Sequence, residues 1–345
     1  CIETPLESPN SRLKERVNIG GYPVKELGGL VWGYLGPLPA PVLPPWDVLV
    51  QPNSLRQIGQ TVIPCNWLQC QENASDPVHS VYLHGHFFKY ILERDGLIED
   101  RASDQTTHRA WTSISGVKGF DHVISKRDAH GVQKAMVYTV ERGAEKYQER
   151  WHSYMIFPNI ARVGGAGIRF EMQFRVPMDD THTYHVVYDI YTAPEGIAIN
   201  PPATVPYYDI PIEDENGRPI VDYILAQDMA AWWSQGPIVD RSLEHLGATD
   251  TAVIDFRKML DEQISIVENG GDPINVYRNR KETGDVIECT PRINSATYQG
   301  PTWGSSRAAL HKGYWRDDAD RHGPLLEDVL ELMRRVDERS STPTP

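Results

Sequence analysis

Cysteine is scarce in this chain: Cys1, Cys65, Cys70 and Cys289 are the only four in 345 residues. None of them opens a Cys-x-x-Cys, Cys-x-His or Cys-x-x-His pair. That excludes a zinc knot and a disulfide framework, and reduced thiols in a cytoplasmic protein are the expectation. No apolar run approaches the roughly 18 residues that a membrane span requires, and no signal peptide opens the sequence. Positive charge is also in short supply. Lys and Arg number 34 against 47 Asp and Glu, and the net charge of −13 speaks against nucleic acid or an anionic membrane as a partner. Residue 1 is Cys rather than Met, so further residues are expected upstream of it. A chain of this length can bury one large core or two modest ones.

What is abundant is concentrated chemistry between residues 66 and 84. Asp76 and His79 stand at i and i+3, so on a helix they share a face and can touch. His84 comes five residues after His79, which on an ideal helix falls about 140° away. Both imidazoles can reach one metal ion only if the helix ends, bends or bulges between them, and Gly85 offers an ending. A pair of histidines five apart is by itself an ordinary surface or core feature. Two neutral imidazoles and one carboxylate with open positions form the facial set of non-haem Fe(II) sites that activate dioxygen. This stretch supplies the imidazoles and calls for a distant carboxylate.

Elsewhere the chain alternates between extended and helical patterns. Residues 16–19 and 30–35 read as short strands around a turn at Gly20-Gly21. Residues 37–45 carry five prolines and read as an extended connector. Residues 58–63 alternate like a strand that leads into a helix over 67–82. Between 112 and 191 the period is two, with strands over 135–140, 153–157, 168–176 and 183–191 and a hairpin turn at 177–180. Gly164-Gly165-Ala166-Gly167 lacks the Lys-Ser/Thr of a phosphate loop and reads as a turn. His182 and His185, i and i+3 on a strand, face opposite ways and make poor joint ligands. Helices come next, over 222–234, over 249–268 with Val253, Phe256, Leu260, Ile264 and Ile266 as its apolar positions, and over 324–338. The predicted fold class is α+β: an antiparallel curved sheet with helices packed on one face.

Asn66-Trp67, followed by Glu72-Asn73-x-x-Asp76-x-x-His79-x-x-x-x-His84, resembles the iron-binding motif of the alpha subunits of Rieske non-haem iron oxygenases. The resemblance implies that His79 and His84 bind a mononuclear Fe(II), that Asn73 lies near it, and that Asp76 bridges toward the Rieske cluster of a neighbouring subunit. It also implies a helix-grip-like catalytic domain. Cys1-Ile2-Glu3-Thr4-Pro5, Tyr22-Pro23-Val24-Lys25-Glu26-Leu27-Gly28-Gly29-Leu30-Val31-Trp32 and Tyr34-Leu35-Gly36 are similar to the segment just after the second pair of cluster ligands in that family. On that basis residues 1–36 are the C-terminal remnant of a β-rich Rieske domain, 37–50 the connector, 51–339 the catalytic domain and 340–345 a frayed tail. A Rieske [2Fe–2S] centre takes two Cys and two His, which the sequence as given does not supply.

Asp228 is the expected third ligand. It stands 228 − 84 = 144 residues after His84, in a helical segment with Gln235 seven residues later. That spacing is similar to the family's ligand segment. Asp222 and Asp240 are its nearest competitors, and His86 is an alternative to His84. Cys65-Asn66-Trp67-Leu68-Gln69 and the run from Gln227-Asp228 to Asp240-Arg241-Ser242-Leu243-Glu244-His245-Leu246-Gly247 look like the group that contains phthalate dioxygenase and 5,5′-dehydrodivanillate O-demethylase. The resemblance implies O2 activation with hydroxylation or O-demethylation of an aromatic substrate. Electrons would come from NAD(P)H through a separate reductase, with or without a ferredoxin, in a homotrimer or a multiple of it. Two other classes stay open on the residues alone: a helix-and-sheet pocket that binds a small molecule without chemistry, and a zinc-dependent hydrolase, since His, His and Asp also suit zinc.

Overall fold

The computed structural model describes residues 2–85, 87, 90, 93–94, 121–142, 145–164, 168–289 and 323–341. Ten strands are found among them: β1 Val24–Leu27, β2 Leu30–Gly33, β3 Ser54–Ile63, β4 His122–Arg127, β5 Gly131–Arg142, β6 Glu145–Ile156, β7 Ile160–Gly164, β8 Arg169–Pro177, β9 Thr183–Thr192 and β10 Tyr207–Asp209. The main helices are α1 Trp67–Ser75, α2 Ile224–Trp233, α3 Thr251–Glu268 and α4 Leu326–Ser341. β1 and β2 form a hairpin of their own, and the other eight strands make one sheet in the order β10-β3-β9-β8-β7-β6-β5-β4. The α+β class therefore stands, with one amendment: β10 runs parallel to β3 at the edge of an otherwise antiparallel sheet. Among the described residues no helix is long and apolar enough to cross a membrane.

The sheet buries both faces. On one, Ile156, Met172, Phe174, Val186, Tyr188 and Ile190 pack with Trp46 and Leu49, and Leu27, Leu30 and Trp32 of the hairpin lie against them. The Trp32 ring meets Phe174 edge-on at 5.4 Å. Two features expected near the N-terminus are corrected here. Arg16 ends a helical turn, Leu13–Arg16, instead of opening a strand. The hairpin turns at Gly28 and Gly29, whose φ angles of 67° and 79° suit glycine, and not at Gly20-Gly21. The proline-rich segment lies along this face, with Val42 bridged to Tyr277 and Trp46 to Ile287.

The other face carries α1, α2 and α3. Ala74, Val132, Met155, Ala161, Phe256 and Met259 form one apolar cluster there, and Ile63, Cys70, Val187, Met229 and Trp232 another. The α3 stripe is narrower than its sequence suggests: Val253 and Phe256 are buried, whereas Ile264 and Ile266 are exposed. α4 docks Leu325, Val329, Leu332 and Met333 onto Leu55 and Tyr191. It reaches Ser341, so residues 340 and 341 are helical and not part of a frayed tail. Of the Gly164–Gly167 turn, residues 165–167 lie outside the described residues; Gly164 ends β7, which pairs with β8.

The polar residues of the alternating strand β8, Glu171, Gln173 and Arg175, are all buried. Charge pairing makes this tolerable. Arg169 lies 2.6 Å from Glu171 and 2.8 Å from Asp189, and Arg175 donates to Gln173 at 2.6 Å and to Gln71 of α1 at 3.4 Å. The Arg175 guanidinium stands 5.2 Å from the centre of the Trp232 ring, so the ladder of polar groups ends against α2.

His185, beside it on β9, is wholly buried, and neither ring nitrogen has a hydrogen-bond partner. Its ring meets Trp232 edge-on at 5.1 Å. Burial, reinforced by Arg175 and opposed by Asp228, pushes its pKa well below the ordinary 6.5. A histidine kept neutral in the fold and free to protonate when unfolded adds stability above its unfolded pKa and loses it as pH falls. The limiting slope is about 1.4 kcal/mol per pH unit. His185→Phe, which keeps a ring against Trp232, is expected to lose stability less steeply than the parent below about pH 6.5. Equal slopes in urea titrations at stepped pH would contradict this.

Candidate metal centre

α1 starts cleanly and stops abruptly. Asn66 caps it, its side chain accepting from the Leu68 N–H at 3.0 Å. The helix cannot pass Asp76, because the residue before a proline is driven to extended backbone, and Asp76 sits at φ −87°, ψ 121°. The helix expected over 67–82 is thus two pieces. The Asp76 carboxylate restarts the chain by accepting from the N–H groups of Val78 at 2.8 Å and His79 at 2.9 Å. The backbone then winds into a π-helical turn, Ser80–Gly85. Such a turn closes i to i+5 bonds, so residues five apart come much nearer to one face than they would on an α-helix. This supplies the bulge that the spacing of His79 and His84 demands, and the two rings lie 5.2 Å apart, inclined at 78°.

α2 brings the carboxylate. Asp228 Oδ1 lies 3.6 Å from His79 Nε2 and 3.4 Å from His84 Nε2. Among the described residues this is the only His/Cys/Asp/Glu group that could hold a metal ion, its three ligand atoms all within 4.8 Å of one another. Bonds of about 2.1 Å set neighbouring donors roughly 3.0 Å apart at a right angle and roughly 3.4 Å apart at a tetrahedral one. The site is therefore sized for a small divalent cation. The competitors are engaged elsewhere. Asp222 pairs with Arg94 at 2.6 Å, and Asp240 caps its own turn by accepting from the Ser242 N–H at 2.9 Å. His86 lies outside the described residues. His182 is tied to Asp179 in the exposed hairpin turn at 3.0 Å, and Gln235 donates to the Ala231 carbonyl at the end of α2.

Neighbouring groups fix which atoms face inward. Gln227, wholly buried, donates through Nε2 to the Val221 carbonyl at 2.9 Å, which leaves its Oε1 to accept from His84 Nδ1, also at 2.9 Å. His84 Nδ1 must then carry the proton, and the lone pair of Nε2 points at the centre. Asp76 Oδ2 stands 3.3 Å from His79 Nδ1, so its charge, without a hydrogen bond of good geometry, is what faces that nitrogen. Asn73 donates to Asp228 Oδ1 at 3.1 Å. Burial would raise the carboxyl pKa of Asp228, but His84, then His79 and Asn73, hold it down at about 2. Burial acts likewise on Asp76, and the hydrogen bond and charge of His79 together with the charge of Lys134 keep it at about 2. Two lone pairs and a carboxylate aimed at one point is a donor set that fits a ferrous ion. Sequence reasoning overlooked Gln227 as a partner of His84, although it directly precedes Asp228. It also overlooked Lys134, whose signal is a lone charge in the buried run Val132 to Met136. Cys65, Cys70 and Cys289 are free and buried and form no part of this donor set.

Gln227→Leu keeps the volume and removes the acceptor. Loss of such a partner typically weakens metal binding about 10- to 100-fold, and that is the expected shift in competition against a chelator. An unchanged affinity would show that Gln227 does not orient His84.

A family model described as LigXa C-terminal domain like matches residues 219–293, the segment that contains α2 and α3. The chain is similar to the 5,5′-dehydrodivanillate O-demethylase oxygenase subunit of Sphingobium sp. (strain NBRC 103272 / SYK-6), with 31% identity over 94% of this chain and 68% of the relative. It is also similar to the tert-butanol monooxygenase / tert-amyl alcohol desaturase oxygenase subunit of Aquincola tertiaricarbonis, with 30% identity over 98% of this chain and 69% of that one. The phthalate 4,5-dioxygenase oxygenase subunit of Pseudomonas putida shares 27% identity over 79% of this chain and 65% of its own length. The chain spans about two thirds of the length of the curated relatives it matches. With these relatives, the chain belongs to the Rieske-type non-haem iron oxygenases, among their oxygenase subunits.

Proposed function

We propose that His79, His84 and Asp228 hold a mononuclear Fe(II) and that this site hydroxylates or O-demethylates an aromatic substrate. The observation that carries the reading is the convergence of two Nε2 atoms on one carboxylate oxygen, at 3.6 and 3.4 Å. Such a set leaves up to three coordination positions open, and an iron held there would supply the site at which O2 is activated, with electrons delivered from outside this chain. Asp228 contributes the anionic ligand, Gln227 holds the proton on the outer nitrogen of His84, Asp76 sets a negative charge beside the outer nitrogen of His79, and Asn73 keeps the Asp228 carboxylate turned inward. The aromatic substrate class rests on the relatives named for 5,5′-dehydrodivanillate and phthalate; the relative named for tert-butanol marks the breadth of the family. Oxygenase relatives do not favour a non-catalytic binding module or a zinc hydrolase.

A Rieske [2Fe–2S] cluster, NAD(P)H-derived electrons delivered by a reductase or ferredoxin, a ring of subunits and a cytoplasmic setting belong to the same proposal. So does the division into a cluster-domain remnant, a connector and a catalytic domain. The Asp76 side chain, 25% exposed at the end of α1, is the group through which a neighbouring cluster-bearing subunit would be met. The test is metal analysis of the full-length protein, together with O2 uptake, reductase and NADH on a panel of aromatic acids and aryl ethers. One mononuclear iron beyond the two of each cluster, and O2-dependent product, are expected. Turnover without O2 would overturn the proposal.

A further inference from the structure

Lys134 lies in the buried stretch of β5, 3% exposed. Its face of the strand looks toward α1, and its ammonium ends at the break that closes that helix. Nζ donates to the Asp76 carbonyl at 2.7 Å and reaches the Asn73 carbonyl at 3.4 Å. The last carbonyls of a helix have no partner within it and form the negative end of its dipole, so a cation is well placed there. Burial, only partly opposed by the charge of Asp76, nevertheless pulls the lysine pKa down to about 7. A buried ammonium on a strand is an expensive way to satisfy two carbonyls that water could satisfy at an exposed helix end.

Both residues it holds touch ligands. Asn73 donates to Asp228 Oδ1 at 3.1 Å, and Asp76 accepts from the His79 N–H at 2.9 Å and stands 3.3 Å from His79 Nδ1. We infer that Lys134 is a positioning residue of the metal centre: by tying the Asn73 and Asp76 carbonyls to the sheet, it fixes the break after α1 so that both side chains meet their ligands. The inference rests on the reading of His79, His84 and Asp228 as an iron site. The ammonium is the contact that joins the break to β5, and without it two ligands loosen together.

The experiment uses the full-length holoprotein with Lys134→Met, which keeps the length of the stem, Lys134→Gln, a shorter neutral donor, and Lys134→Arg. Three quantities are read: the chelator concentration that removes half the mononuclear iron, the EPR signal of the nitric oxide adduct of that iron, and product formed per O2 consumed. For Lys134→Met the half-loss concentration is expected to fall about tenfold, the low end for a group that orients a ligand. The EPR signal should change shape and the product per O2 should drop, with recovery in Lys134→Arg. If Lys134→Met does not fold, Lys134→Gln decides by the same criteria. A folded neutral variant with parental iron retention and an unchanged EPR signal overturns the inference, whatever happens to its melting temperature. So does additivity of Lys134→Met with Asn73→Ala in iron retention, because residues that act through one contact should couple. Parent protein that takes up no mononuclear iron would instead defeat the underlying site reading.

Discussion

Replacing His84 by alanine is expected to strip the mononuclear iron from the full-length protein and to abolish measurable oxygenation. His84 is 4% exposed, and its Nε2 has no other role on offer than to face Asp228 at 3.4 Å. A bound metal supplies several kcal/mol of stabilisation, and each roughly 1.4 kcal/mol is tenfold in rate, so the loss should be on the order of a thousand-fold or more. The substitution also leaves Gln227 Oε1 without its donor inside the protein, which adds about 1–3 kcal/mol of instability. Cluster iron should be untouched, so iron per chain should fall by one and not to zero. His182→Ala, in the exposed hairpin turn, is the control and should behave as the parent. Mononuclear iron at parental level in the His84 variant would refute the assignment.

Asp76→Asn is expected to separate what His84→Ala removes together. The asparagine matches the carboxylate in size, so the break before Pro77 persists. Its amide, however, cannot accept at both ends, and one of the Val78 and His79 N–H groups, at 2.8 and 2.9 Å in the parent, loses its acceptor. More important is the loss of the negative charge beside His79 Nδ1. Without it the ring is a weaker donor of electron density and is free to turn. Iron should largely remain, held by three unaltered ligands, while kcat falls about 10- to 100-fold. KM for the aromatic substrate should change little, because Asp76 lies on the outer side of His79. Parental kcat in an iron-replete Asp76→Asn protein would reduce this residue to a helix cap.

How much of the site was legible in the sequence depends on the range of each interaction. Asp76 and His79 are three residues apart, and their contact comes from local geometry. The position of His84 could be stated only as a condition, because a π-helical turn is a property of backbone winding that residue types do not declare. Asp228 came from resemblance alone: the 144-residue step from His84 spans most of the sheet, and no spacing rule covers that. Gln227 and Lys134 are harder still, since their partners, Val221 and His84 for one and Asn73 and Asp76 for the other, depend on which face of which element meets which. The sheet itself was readable in β5, β6, β8 and β9, but alternation in β8 gave no sign that its polar residues form a buried ionic ladder. The misplaced strand at 16–19 shows the opposite limit. Four residues of extended preference are too little to hold a strand when the pairing partner, β2, is claimed by β1.

The wide turn at Ser80–Gly85 makes the grip on the cation a matter of thread pitch. Rewound to an ordinary α-helical pitch, the same five-residue step would carry one imidazole about 140° around the axis from the other, and the pincer would open without a single side chain being altered. Winding and grip are then one property of this turn, set by the backbone before any side chain is chosen.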